Sequence, residues 1–196
     1  MFIITADQRD SRNNDDLVPD AIQAAVRIGG ARLESSPDRT AGDELQLATA
    51  DPGGALAIAL HLTRTGTWCV GIGIGPIEAP LPASVRAGRG EAFVHARDAV
   101  ERAKRATTRL AISGNDEATD AESLVRLLVE LRDRRSDEGW QVYDLLAEGL
   151  SQRAAAERLG ITEGAVSLRA KAAGLRAEEA AVPALGRMLG HAEADR

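Results

Sequence analysis

TWCVGIGIGPI, residues 67–77, is the most strand-like segment of the chain. Gly71, Gly73 and Gly75 fall at period two, so one face of the strand is bare. A bare face on a central strand lets a helix or a ligand approach closely. Downstream, Pro76 to Gly90 is a loop punctuated by Pro76, Pro80, Pro82, Gly88 and Gly90. Glu91 to Ala106 then has a helix period, with Ala92, His95, Ala96, Ala99, Val100 and Ala103 on one side. Arg109 to Ser113 reads as a last strand. Upstream, Asp51 caps a helix running through Leu62, and Pro52 suits its first turn. Leu45, Leu47 and Thr49 alternate as in a strand. Ala31 to Thr40 reads as a strand with a polar middle. The turn Ala41-Gly42-Asp43-Glu44 joins these two into a hairpin. Leu17 to Ile28 is a helix stopped by Gly29-Gly30. Phe2 to Thr5 is a short buried strand, followed by the polar stretch Gln8 to Asp16.

The order is strand–helix–strand–strand–helix–strand–helix–strand. Four of these strands with two crossover helices predict a ferredoxin-like, split β-α-β sheet domain over residues 1–114. Ser113 to Asp116 reads as a linker. Beyond it only helical periods occur, so the fold class is α+β with an all-α C-terminal part. Ala118 to Arg135 carries Leu124, Leu127, Leu128 and Leu131, a stripe that suits a connecting helix (115–135) and also a dimer contact. Residues 136–196 form the third segment. Its first helix covers Gly139 to Leu150, with Trp140, Tyr143, Leu146 and Leu150 expected as core. Glu178 to His191 reads as a short helix or tail.

Ser151 to Leu175, SQRAAAERLGITEGAVSLRAKAAGL, reads as two short helices around a tight turn. Ser151 caps the first helix and Thr162 the second, because a hydroxyl there satisfies orphan N–H groups. Gly160 supplies the left-handed turn residue. Ala154, Ala155, Ala156 and Leu159 face inward from the first helix, and Ala165, Val166, Ala170 and Ala173 from the second. The stretch resembles the helix-turn-helix of response regulators and sigma factors, with their Gly-(Ile/Val)-(Ser/Thr) turn and a Val in the second helix. That resemblance implies DNA contacts from Ser151, Arg153, Thr162, Glu163, Ser167, Arg169 and Lys171. An Ala-rich helical hairpin without a DNA role is the competing reading.

Composition bounds these readings. The net charge of −6 excludes a globally basic nucleic-acid coat. DNA binding needs only one positive face. From Thr162 to Arg176, three cations (Arg169, Lys171, Arg176) stand against Glu163, a local balance of +2. So modest a footprint makes a homodimer on double-stranded DNA the expected arrangement. Cys69 is the single cysteine, which leaves no intrachain disulfide. His61, His95 and His191 are scattered, and His95 on an apolar face reads as a core histidine. No apolar run approaches the ~20 residues needed to span a bilayer, and no signal peptide is recognisable, so a cytoplasmic location is expected.

The first domain also carries charge that suits a ligand. Asp7 ends the first strand, and Asp43 and Glu44 sit in the hairpin. Central neighbouring strands would bring them to one rim, an arrangement used to hold Mg²⁺ against triphosphate oxygens. Asp7 as a turn cap and Asp43 as an ordinary hairpin residue are the alternatives. Arg9 and Arg12 near Asp7, and Arg86 and Arg89 before a helix N-terminus, suit phosphate. "ITADQRDSR", "RTAGDELQ" and "WCVGIGIGPI" together resemble the palm core of class III nucleotidyl cyclases and diguanylate cyclases. The order AD…SR…GDE(L/F)Q…GIGIG is closer still to the SatD family of small bacterial proteins. The cyclase resemblance implies an Asn and an Arg on the helix after the Gly-rich strand. Arg97 falls in register, but the Asn position holds Phe93 or Val94, and the base-reading Lys is Arg39.

The expectation is therefore a DNA-binding transcriptional regulator whose cyclase-like domain senses a ligand, a nucleotide among the candidates, or dimerises. The alternative is a metal-dependent nucleotidyl cyclase or nucleotide hydrolase with a DNA-binding tail. The missing Asn weighs against an enzyme.

Overall fold

The computed structural model describes residues 1–40 and 42–194, which leaves Ala41 of the predicted turn outside the described residues. Five strands and eight α-helices follow one another: β1 (Phe2–Gln8), α1 (Val18–Gly29), β2 (Asp38–Arg39), β3 (Glu44–Thr49), α2 (Pro52–Thr63), β4 (Trp68–Ile74), α3 (Glu91–Ala103), β5 (Leu110–Ser113), α4 (Asp116–Asp133), α5 (Asp137–Ala147), α6 (Gln152–Leu159), α7 (Glu163–Ala172) and α8 (Leu175–Ala194). The strands form one mixed sheet in the order β2-β3-β1-β4-β5. β1 is antiparallel to both β3 and β4, whereas β4 and β5 are parallel. The chain is thus an α+β protein.

The glycines of β4 decide how the sheet is covered. Ile3, Ala48, Val85, Ala92 and Ala96 share one cluster, which places α3 on the face that carries Ile3. A Cβ at Gly73 would stand 2.1 Å from the Ala92 carbonyl oxygen and 2.2 Å from the Ala96 nitrogen. At Gly71 it would stand 2.3 Å from the Val100 nitrogen. The bare face of the strand is therefore filled by helix backbone. Ala92, Ala96 and Val100 of α3 supply the backbone at that contact, and Ala99 and Ala103 pack beside it against Cys69 and Ala111. On the opposite face, Phe2, Ile4, Leu45, Leu47, Val70, Ile72 and Ile74 are buried beneath α1 and α2. Asp51 caps α2 by accepting from the Gly54 N–H at 2.8 Å.

Several local expectations give way. Ala31–Thr40 is not one strand: Gly30–Arg32 is a 3₁₀ turn and β2 keeps only Asp38 and Arg39. Gly30 takes φ 54°, and Pro37 brings no donor to a ladder. The predicted linker keeps only Gly114 and Asn115 between β5 and α4. Asn115 accepts from the Ala118 N–H at 3.1 Å and starts the helix directly. The Leu stripe of α4 is half outside, with Leu124 45% and Leu127 63% exposed. The buried row is Ala118, Ala121, Glu122, Val125, Leu128 and Val129. Glu122 belongs to it because its carboxylate accepts from the Ile112 N–H at 2.7 Å, satisfying a donor of β5 at the sheet edge. Of the two readings of the C-terminal segment the helix holds, but it runs for 20 residues rather than being short. Its Leu185, Leu189 and Ala192 recur at helical spacing and are buried.

The chain divides into two compact units, Met1–Val129 together with Pro183 onward, and Glu130–Val182. The division falls inside α4 and inside α8. No helix of the described residues is long and apolar enough to cross a membrane.

Candidate functional site

Three helices of the second unit, α5, α6 and α7, close around Val142, Ala155, Ala156 and Val166. Leu145, Leu146, Leu159, Ile161, Ala170 and Leu175 pack against that centre. Both predicted caps form: Ser151 Oγ accepts from the Ala154 N–H at 3.2 Å, and Thr162 Oγ1 from the Ala165 N–H at 3.1 Å. Gly160 lies at φ 66°, ψ 31°, the left-handed residue that ends α6 and aims the chain into α7. Its neighbourhood is open, with no atom within 4 Å of a would-be Cβ, so backbone conformation alone asks for glycine there.

The expected Trp140 and Tyr143 core does not form as such. Val142 is the fully buried apolar side chain of α5, and Trp140 and Tyr143 lie half-buried, edge to face, over two guanidinium groups. Arg135 sits 4.3 Å from the Trp140 ring centre and Arg132 4.9 Å from it. Glu178 holds both arginines, Arg132 through Oε1 and Arg135 through Oε2, the latter at 2.6 Å. Arg135 also donates to the Ala173 carbonyl at 3.1 Å. This cluster ties the ends of α4 and α8 to α5 and leaves α7 with an open outer side.

Along α7, Glu163, Gly164, Ser167, Leu168, Lys171 and Ala172 are exposed. Arg169 is half-buried, because three residues after Val166 it lies toward the inward side of the helix. Arg153 is exposed on α6 and pairs with Glu157 at 3.3 Å. Leu168 was missed in the sequence reading. Its signal was present, since it falls out of phase with Ala165, Val166, Ala170 and Ala173, which all face inward.

In the first unit the predicted cations distribute over three clefts. Arg9 and Arg12 line one of about 440 Å³ with Asp7, Asp43 and Lys104. Arg12 and Arg39 line a second, about 430 Å³, with Asp16. Arg86 lines a third, about 540 Å³, with Thr40, Gln46, Phe93 and Arg97. Arg89 is exposed and lines none of them. Several of these cations already have partners. Arg9 donates to the Gly66 carbonyl at 2.9 Å. Arg39 donates to the Gly42 carbonyl at 2.7 Å and meets Asp16 at 2.5 Å. That hydrogen bond is the first cause holding the Asp16 carboxyl below its ordinary value. Arg86 stands 3.8 Å from Asp38.

The three carboxylates offered for Mg²⁺ are each held by a different neighbour. Asp7 pairs with Lys104 Nζ at 3.1 Å. Asp43 accepts from Ser11 Oγ. Glu44 accepts from Thr40 Oγ1 at 2.5 Å and lies 3.7 Å from Arg97. Among the described residues no group of three His, Cys, Asp or Glu side chains is placed to hold a metal ion. Asp7 and Asp43 nevertheless line the same cleft, and Glu44 lies apart from it. His95 Nδ1 donates to the Ile74 carbonyl at 2.7 Å, the satisfied histidine expected from its place on the helix.

The 540 Å³ cleft is also lined by Gln46, a buried residue outside the predicted set. Thr5 and Gln46 are buried and bonded to each other, Gln46 Nε2 donating to Thr5 Oγ1 at 3.1 Å. The signal was the polar set Thr5, Asp7, Glu44 and Gln46, at period two on two paired strands. Phe93 forms one wall; its ring would be struck at 2.1 Å by a Cβ at Gly88. The 540 Å³ cleft thus combines an aromatic ring, two guanidinium groups, an amide and one hydroxyl. That set suits a flat, anionic small molecule. No protein-family model, curated protein or solved structure matches this chain, so its chemistry is read from its own residues.

Proposed function

We propose that the chain is a DNA-binding transcriptional regulator whose α6–turn–α7 segment reads double-stranded DNA and whose sheet unit senses a small ligand. The observation that carries this reading is the outer side of α7. It is set by two hydroxyl caps and a left-handed Gly160, and it presents Glu163, Ser167, Leu168 and Lys171 to solvent. In such a geometry Ser151 and Thr162 lie at helix starts that suit backbone phosphates, and the middle of α7 enters the major groove. Arg153 adds a cation on α6, and Arg169 reaches from the flank of α7. The order β2-β3-β1-β4, with α1 and α2 as crossovers, supports reading the sheet as the ferredoxin-like, palm-type core of a SatD-like protein.

A single module with so few cations binds weakly, so the functional species is a homodimer. The exposed Leu124 and Leu127 support a dimer contact on α4. A nucleotide is the ligand class that the 540 Å³ cleft supports best, its base against Phe93 and its phosphates toward Arg86 and Arg97. Separate partners for Asp7, Asp43 and Glu44 favour sensing over turnover.

The test is selection of duplexes from a random-sequence pool, followed by gel shifts with the full chain. Wild type is expected to recover a sequence preference that Arg169→Ala and Lys171→Ala weaken, since a base contact contributes about 1–3 kcal/mol. Recovery of no preferred sequence overturns the assignment. A nucleotide panel in thermal unfolding tests the sensor, because a ligand of the native state alone must raise the Tm.

A further inference from the structure

The most exposed large apolar side chain among the described residues is Leu168, at 69%. It stands in the middle of the outer side of α7. Gly164 lies one turn before it and Lys171 one turn after, with Ser167 beside it. A Cβ at Gly164 would meet nothing closer than Thr162 Oγ1 at 3.9 Å, so no packing demand explains that glycine. The helix therefore offers a smooth backbone front, then a four-carbon apolar knob, then a cation.

We propose that Leu168 reads the C5 methyl of thymine in the major groove, and so selects duplexes with a T·A pair at the position it faces. This rests on the DNA-binding reading of α7 given above. The chemistry singles out one kind of surface. An apolar protein patch covering Leu168 would have to bury Lys171 as well, at a heavy desolvation cost. The major groove has no such conflict, because it sets the thymine methyl among the O4, N7 and O6 acceptors of neighbouring bases. Leu168 meets the methyl, while Lys171 and Ser167 reach acceptors on either side. The missing Cβ at Gly164 lets the helix come close enough for a short side chain to touch.

The experiment uses the full chain and the duplexes that wild type selects from a random pool. Each is resynthesised with deoxyuridine in place of thymidine, which removes only the C5 methyl. Wild type is expected to bind the deoxyuridine duplexes roughly fourfold more weakly for each methyl contacted, the value of one buried methyl group. Leu168→Ala is expected to bind both duplex forms equally, and its exposure means the fold is unaffected. An equal thymine-to-uracil penalty in wild type and Leu168→Ala overturns the inference, because another group would then read the methyl. So does a Leu168→Ala variant that keeps the penalty but loses self-association in sedimentation, which would make this face a contact for a second copy. If wild type selects no duplex, the DNA reading fails and this inference fails with it. If wild type selects duplexes that are indifferent to uracil, only this inference fails.

Discussion

Gly73 and Gly160 are the same residue for opposite reasons, and the contrast separates the two units. In the sheet unit, a Cβ at Gly73 would run into the backbone of α3 at 2.1 Å, so glycine is there to be absent. In the helical unit, Gly160 has open space around it and a φ of 66°, so glycine is there to turn. The first unit is held by close packing of backbone on backbone over a sheet buried on both faces. The second has a small centre of four buried residues, and it adds hydroxyl caps and a buried charge cluster to that centre. Small cores need such supplements, since little apolar area leaves the water.

The largest expected effect breaks the helical unit. Glu178→Ala leaves Arg132 and Arg135 buried without a carboxylate. A cost of about 3–5 kcal/mol is expected, read as a lowered midpoint in urea unfolding followed by far-UV circular dichroism. An unchanged midpoint would mean that the two arginines are supported without the carboxylate.

Gly73→Ala comes next and strikes the sheet unit. Displacing α3 from β4 is expected to cost about 3 kcal/mol. A smaller loss at Gly73 than at Gly160 would invert the comparison.

The turn residue gives a milder and chemically different response. Gly160→Ala is expected to cost about 1–2 kcal/mol through φ alone. Gly160→Asn is expected to cost less than Gly160→Ala, because Asn tolerates the left-handed region. At Gly73 the order reverses, since Asn is simply larger. Four melting curves therefore distinguish a demand for space from a demand for conformation. Ser151→Ala and Thr162→Ala are each expected to lose about 1 kcal/mol, measurable in the same assay.

The smallest effect is a pH dependence in the sheet unit. Burial works against the charge of Lys104, but hydrogen bonds to Glu101 and Asp7 outweigh it and raise its pKa above 10.5. A group whose folded pKa is raised adds stability below its unfolded pKa and loses it as pH rises through the folded value. Lys104→Met is therefore expected to lower the urea midpoint at neutral pH and to converge on wild type in strong alkali. A constant difference across that range would show that the ammonium is coupled to neither Glu101 nor Asp7.

Much of the second unit's fold was legible because its signals are local. Ser151, Gly160 and Thr162 act on atoms two or three residues away, so sequence spacing suffices to place them. The order of strands and helices up to Ser113 was legible through period and capping. What failed depended on distant partners. The outward Leu124 and Leu127 differ from the buried row of α4 by one position. That row is defined by Glu122, whose role depends on the exposed edge of β5. Trp140 and Tyr143 looked like core because they are large, but Val142 takes the centre and the rings cover Arg132 of α4 and Arg135 of the connection that follows it. The candidate ligand site divides in the same way. The arginines and carboxylates were visible as residue types. Their pairing with Asp16, Lys104, Ser11 and Thr40 was not, because each pairing spans a fold contact.

The glycines of TWCVGIGIGPI announced a bare strand face, and the sequence alone determined that something must come close to it. Whether that was a helix or a ligand was decided by tertiary structure. Ala92, Ala96 and Val100 bring the backbone of α3 onto Gly71 and Gly73, which leaves the candidate ligand site beside Gln46 of β3, Phe93 and Arg97. The physical reason is range. A missing Cβ, a capping hydroxyl or a positive φ is a property of a few consecutive residues, whereas the occupant of a face depends on which distant segment packs there with the smaller loss of solvent and space.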